Sequence, residues 1–88
     1  MQKDLEKLRK EKDHHQMHVI VDGRYRHYRN PQHLYRVLAM GILESTEEVC
    51  VVYQAEYGDC LIWVRPVKEW CEMIGDQGMM VQRFTHVP

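Results

Sequence analysis

The sequence has no apolar run near the ~20 residues that cross a bilayer as a helix, so a membrane partner is not expected. It has only three cysteines, Cys50, Cys60 and Cys71, ten or more positions apart. No pair has the close spacing of a zinc knuckle or a redox motif, and an odd number leaves one unpaired in any disulfide scheme. Free thiols in a reducing compartment follow from that count. The sequence also lacks Gly-x-Ser-x-Gly, His-Glu-x-x-His and a phosphate loop, so no catalytic residue and no cofactor is expected. Pairing Cys50 or Cys60 with a distant histidine as nucleophile and base needs no special pattern, and buried inert thiols are the simpler reading. The net charge of −1 argues against a generic nucleic-acid binder. There is no internal repeat and no low-complexity segment.

What is present fits one small core. The chain has 88 residues, and a domain near this size buries only about 60% of the surface its unfolded chain exposes. Residues 1–16 read as a charged leader, helical or frayed. Glu6 and Lys10 form an i,i+4 pair, and apart from Met1 only Leu5 and Leu8 offer large apolar groups. Nothing in Met1 to Asp13 has the form of a signal peptide or an anchor, and the expected location is the cytoplasm.

Residues 17–88 read as a domain of short strands. Asp22-Gly23 signals a turn before a strand from Arg24 to Arg29, which Asn30-Pro31 ends. Leu34 to Leu43 is a long strand, with Gly41 the candidate for a bulge. Val49 to Tyr57 alternates with period two, and its odd positions face the core. Gly58-Asp59 makes a hairpin turn. Leu61 to Arg65 follows and stops at Pro66, and Val67 to Cys71 suits a short 3₁₀ turn. A last hairpin runs from Glu72 to His86 around Gly75-Asp76-Gln77-Gly78. Five to six short strands in a mostly β chain suggest a small closed barrel, which hides its strand edges.

The ordered set Gly23-Arg24-Tyr25-Arg26-His27-Tyr28-Arg29, Leu34-Tyr35-Arg36-Val37-Leu38, Val51-Val52-Tyr53, Tyr57-Gly58-Asp59, Trp63-Val64-Arg65-Pro66 and Arg83-Phe84 resembles a family of small bacterial proteins. That family is known as a domain of unknown function, number sixteen fifty-three. The resemblance spans about Gly23 to Val87 and implies an SH3-like barrel without an assigned activity. This chain departs from the family pattern at four places. Asn30 stands where glycine is usual, and asparagine also tolerates a left-handed turn. The loop at Glu44-Ser45-Thr46 is shorter and lacks a histidine, so any activity resting on that histidine is lost here. Gln82 replaces proline, and Trp70 replaces phenylalanine.

Three groups of residues are candidates for function. His14, His15 and His18 could ligate a metal, since His14 and His18 share a helix face. No third ligand has a fixed place, so a solvated polar leader is the simpler reading and no metal is expected. Arg24, Arg26, Arg29 and Arg36 could form a basic stripe, or could pair across a sheet with the acids between Glu44 and Asp59. The third group is aromatic and basic. If Ile62 and Val64 pack inward, Trp63 and Arg65 share the opposite face of one strand. Such rings and arginines could stack a flat ligand and grip an anion, or could simply fill a small core. The expected site comprises His27, Tyr28, Tyr53, Tyr57, Trp63, Arg65 and Arg83. Its rings would supply stacking area, its arginines charge, and His27 an adjustable donor. The ligand would be an anionic small molecule, a nucleotide, a peptide or a nucleic-acid segment. The alternative is an assembly protein, with the leader or an open sheet edge joining copies into a homodimer.

Overall fold

A computed structural model of the chain describes residues 4–16 and 18–88. Of the leader, residues 1–3 lie outside the described residues, as does residue 17 at the expected domain boundary. Helix α1 (Leu5–Gln16) opens the described chain. A five-stranded antiparallel sheet follows in the order β4-β3-β2-β1-β7, built from β1 (Arg24–His27), β2 (Asn30–Leu43), β3 (Glu48–Ala55), β4 (Ile62–Pro66) and β7 (Phe84–Val87). Between β4 and β7 the chain forms one helical turn, α2 (Val67–Trp70), and a separate hairpin of β5 (Met73–Asp76) and β6 (Met79–Gln82). The domain is mostly β, as its patterning implies.

The sheet curls tightly. Tyr53 on β3 and Phe84 on β7 are three strand intervals apart, which in a flat sheet is about 14 Å. Their ring centroids are 5.5 Å apart. The rings face one another because β3 and β7 bend toward a common centre. Tyr25, Val37, Val51, Tyr53, Trp70 and Phe84 are all buried there. Trp70 lies flat on Phe84, with centroids 3.8 Å apart and planes 7° apart. Tyr25 and Tyr53 meet Trp70 edge-on at 5.2 and 4.9 Å. Stacked and edge-to-face pairs each add about 0.5–1.5 kcal/mol beyond the burial of their area.

The curl stops short of the closed barrel expected from the strand count. β4 and β7 are the two edges, and no ladder joins them. The cause lies in the connection: α2 occupies the gap, held by Arg83 N–H donating to the Glu72 carbonyl at 3.1 Å and Arg83 Nε–H donating to the Glu69 carbonyl at 3.0 Å. Side chains and a helical turn bridge the seam, where a barrel would use strand hydrogen bonds.

Local details also differ from the sequence expectation. Asn30-Pro31 does not end a strand. It opens β2, where the register shifts from Arg26 opposite Leu34 to His27 opposite Asn30. Pro31 sits in the looped-out stretch, which needs no amide donor. The irregularity on β2 opposite β3 falls between Val37 and Ala39, not at Gly41. The turn from Val67 to Cys71 is α-type and not 3₁₀, since Cys71 N–H reaches the Val67 carbonyl at 3.0 Å. The last hairpin turns at Gln77 (φ 52°) and Gly78 (φ 81°), the paired positive φ of a two-residue hairpin loop. Its return strand ends at Gln82, leaving β7 to join β1. The turn at Asp22 (φ 68°) is present as expected, and Gly23 is required after it: a Cβ there would meet the Ile20 carbonyl oxygen at 2.9 Å.

The leader is helical and docked. Leu8 is buried, and α1 packs on β2 and β3. Burying one leucine contributes about 1.5–3 kcal/mol. A chain beginning at His18 should therefore keep a cooperative melt while losing about 2 kcal/mol of stability. Circular dichroism with urea melts measures both, and loss of the cooperative transition would make α1 part of the core.

Candidate functional site

The basic stripe resolves into ion pairs. Arg24 Nε donates to Glu56 at 2.8 Å. Arg36 lies 3.8 Å from the same carboxylate and 3.0 Å from Asp22. These pairs are partly exposed, a class worth about 0–1 kcal/mol each. They consume Arg24 and Arg36, so no continuous basic surface survives.

On β4, Ile62 and Val64 do not pack inward. They are 57% and 60% exposed, on the convex face. The register explains why: Trp63 pairs with Tyr53 and Arg65 with Val51, and both partners face the buried centre. Trp63 and Arg65 do share a face, and it is the concave one. There they help line a cleft of ≈ 230 Å³ with His27, Tyr53 and Tyr57. Five of the seven expected residues thus meet in one place. Tyr35 and Phe84 complete the lining. Both stand in the motifs quoted above, but no periodicity singles them out, because their place depends on the curl.

Arg83 and Tyr28 stand outside the lining. Arg83 is committed to the seam, donating to the Glu69 carbonyl and pairing with Glu72 at 3.2 Å. Tyr28 lies in the β1–β2 turn, against the His27 ring at 4.8 Å, and accepts from Arg29 Nε at 3.1 Å.

Arg65 is only half engaged. Its Nη1 donates to Glu69 at 3.2 Å, and its guanidinium lies 5.8 Å from the centre of the Phe84 ring. Its Nε is buried and has no hydrogen-bond partner. Buried N–H groups are nearly always paired, so an orphan in a cleft wants an acceptor. His27 sits beside it. Burial, with Arg65, Arg83 and Arg29 nearby, holds the His27 pKa below its ordinary value. Its Nδ1 accepts the Arg29 backbone N–H at 3.2 Å. The neutral ring therefore carries its proton on Nε2 and is a donor there. Tyr35 and Tyr57 share a hydrogen bond of 2.7 Å between their hydroxyls, and burial with that bond raises the Tyr35 pKa. The Tyr35 hydroxyl stays protonated at neutral pH. One hydroxyl proton holds the pair together and the other is left to donate. His33 stacks on Tyr57 at 3.8 Å from outside.

A larger cavity of ≈ 490 Å³ lies between α1 and the sheet, where His14, His15, His18 and His86 line it with Trp70 and Phe84. Among the described residues no group of three or more His, Cys, Asp or Glu is arranged to hold a metal. The Trp70–Phe84 stack forms part of its wall, and Phe84 also lines the smaller cleft. Burial raises the pKa values of Cys50 and Cys71, which keeps both thiols protonated and poorly nucleophilic. Among the described residues no helix is long and apolar enough to cross a membrane.

A family model described as protein of unknown function (DUF1653) matches residues 23–86. The chain belongs to that family. A crystal structure of a DUF1653 protein from Bordetella bronchiseptica is similar to it, with 29% sequence identity and a TM-score of 0.68. The match covers 81% of this chain and 91% of the Bordetella chain. No curated protein matches. The region shared with DUF1653 begins at Gly23, so it contains the curled sheet and the cleft but not α1.

The lowered His27 pKa has a consequence for stability. Above the ordinary imidazole value of 6.5, folded and unfolded chains both carry the ring neutral. Below it the unfolded chain takes up a proton that the folded site resists. The domain should therefore lose stability as pH falls from 6.5 through the lowered folded value. His15, lowered chiefly by burial and His14, adds the same sign. Urea melts between about pH 8 and about pH 5 should show a shallower loss in His27→Gln than in the parent. Parallel curves would mean that His27 is not shielded from protons in the fold.

Proposed function

We propose that this DUF1653 member is a non-catalytic binding module, on an SH3-like scaffold, that seats an anionic group against Arg65. The observation that carries the reading is the buried, unpartnered Arg65 Nε in an aromatic cleft. The neighbouring groups suit the same task. His27 and the Tyr35–Tyr57 pair offer donors, and Trp63 and Tyr57 offer ring surface. The protonated state of Cys50 and Cys71 favours binding over nucleophilic chemistry. Three free thiols favour a cytoplasmic setting.

The partner of Arg65 decides what its removal does. Glu69 is half exposed, so Arg65→Ala leaves no buried charge unpaired. The variant should lose no more than about 1 kcal/mol of stability. A ligand that binds only the folded state raises the melting temperature. Acetate and inorganic phosphate should do so in the parent beyond what equal ionic strength of chloride does, and not in Arg65→Ala. An equal response in both proteins, or a loss of about 3–5 kcal/mol as for a broken buried pair, would move Arg65 from site to scaffold.

A second reading, assembly of copies of this chain, is supported by a different observation. The convex face carries Ile62 and Val64 exposed on β4, which is also an open edge. A second copy pairing antiparallel along β4 would cover the edge and set its own apolar row beside this one. Sedimentation should then show a dimer that Val64→Lys dissociates, and a monomer at all concentrations would exclude this reading.

A further inference from the structure

We infer that the ligand of the cleft is a small molecule with one planar ring and one carboxylate. The inference rests on the anion-binding reading above and narrows it by size, charge and donor geometry.

Size comes first. Drug-sized ligands occupy pockets of about 300–1,000 Å³, and this cleft has ≈ 230 Å³. It admits a single ring with a short anionic substituent and leaves a nucleotide mostly in solvent. Charge comes second. Arg65 lines the cleft, and Arg65, Arg83 and Arg29 all add positive potential at His27, while Glu69 pairs with Arg65 and Glu72 with Arg83. Three guanidinium charges against two carboxylates leave about one positive charge, which matches a carboxylate better than a phosphate dianion.

Donor geometry comes third. Glu69 holds Nη1 of Arg65, and the orphan is Nε. The edge that Nε shares with Nη2 carries two parallel N–H bonds, the spacing that a carboxylate accepts in bidentate fashion, and because Nε is buried the side chain must turn that edge toward the cleft as the ligand enters. The ring requirement comes from Trp63. It is 49% exposed beside this edge, whereas the other tryptophan, Trp70, is 3% exposed in the core. An exposed indole lining the same cleft as Arg65 offers a stacking face next to an anion site.

Four probes separate the components: benzoate has ring and carboxylate, benzamide has the ring alone, acetate has the carboxylate alone, and inorganic phosphate has a larger charge without a ring. Tryptophan fluorescence and calorimetry on the full chain should give saturable benzoate binding with a dissociation constant on the order of 1 mM. Benzamide, acetate and phosphate should each bind at least about tenfold more weakly. Trp63→Ala should weaken benzoate about tenfold and leave acetate unchanged. Arg65→Lys, which keeps the charge and removes the parallel N–H pair, should also weaken benzoate about tenfold. Near-UV circular dichroism confirms that both variants fold. Acetate or phosphate equal to benzoate would overturn the ring requirement and leave the anion site standing. Benzamide equal to benzoate would overturn the anionic requirement itself. Absence of any saturable probe would overturn both readings.

Discussion

The Trp70–Phe84 stack is the contact on which the rest of this domain depends. It joins the one helical turn of α2 to the first residue of the edge strand β7. It fills the seam between β4 and β7, whose edges share no ladder, beside the Arg65 guanidinium over Phe84 and the Arg83 bond to Glu69. With it, Tyr25, Tyr35 and Tyr53 converge on the same two rings from β1, β2 and β3. A sheet of this size has few residues to bury, so a handful of large rings must set its curvature. Small side chains at these positions would leave a flatter sheet with two exposed faces.

The cleft is a by-product of that curl. The buried centre cannot extend to the open end of the sheet, because Arg65, His27 and the tyrosine hydroxyls require polar surroundings. Where the rings stop packing on each other, the polar ends gather. Arg83 shows the structural use of an arginine in this setting, since the Glu69 carbonyl and Glu72 engage it. Arg65 has the same environment but only one partner, at Nη1. That contrast between two neighbouring arginines is what the proposed anion site rests on.

Much of this was legible in the sequence, and the limits have physical causes. The period-two pattern from Val49 to Tyr57 identified Val49, Val51, Tyr53, Ala55 and Tyr57 as core-facing; the first four are buried, whereas Tyr57 lies beyond the end of β3 and is exposed. Trp63 and Arg65 were placed together by i,i+2 spacing alone. The face they occupy was not readable that way, because Ile62 and Val64 are the more apolar pair and yet lie outside. Strand alternation says which residues share a face but not which face is buried. Pro31 misled for a related reason: a proline excludes a ladder donor, and the looped-out start of β2 does not need one. Tyr35 and Phe84 became site residues only through curvature, a property of the whole sheet. The docking of α1 through Leu8 was likewise hidden, since one buried leucine makes no periodic pattern.

Nuclear Overhauser measurements on the aromatic side chains test the curled sheet most directly. Rings 5.5 Å apart by centroid bring the edge protons of Tyr53 and Phe84 within range of a direct effect, although their strands are three intervals apart in the sheet. Cross-peaks between Tyr53 and Phe84, together with strong ones between Trp70 and Phe84, are the predicted result. Cross-peaks confined to neighbouring strands, with none from Phe84 to Tyr53 or Trp70, would mean a flat sheet, no aromatic centre and no cleft for Arg65 to serve.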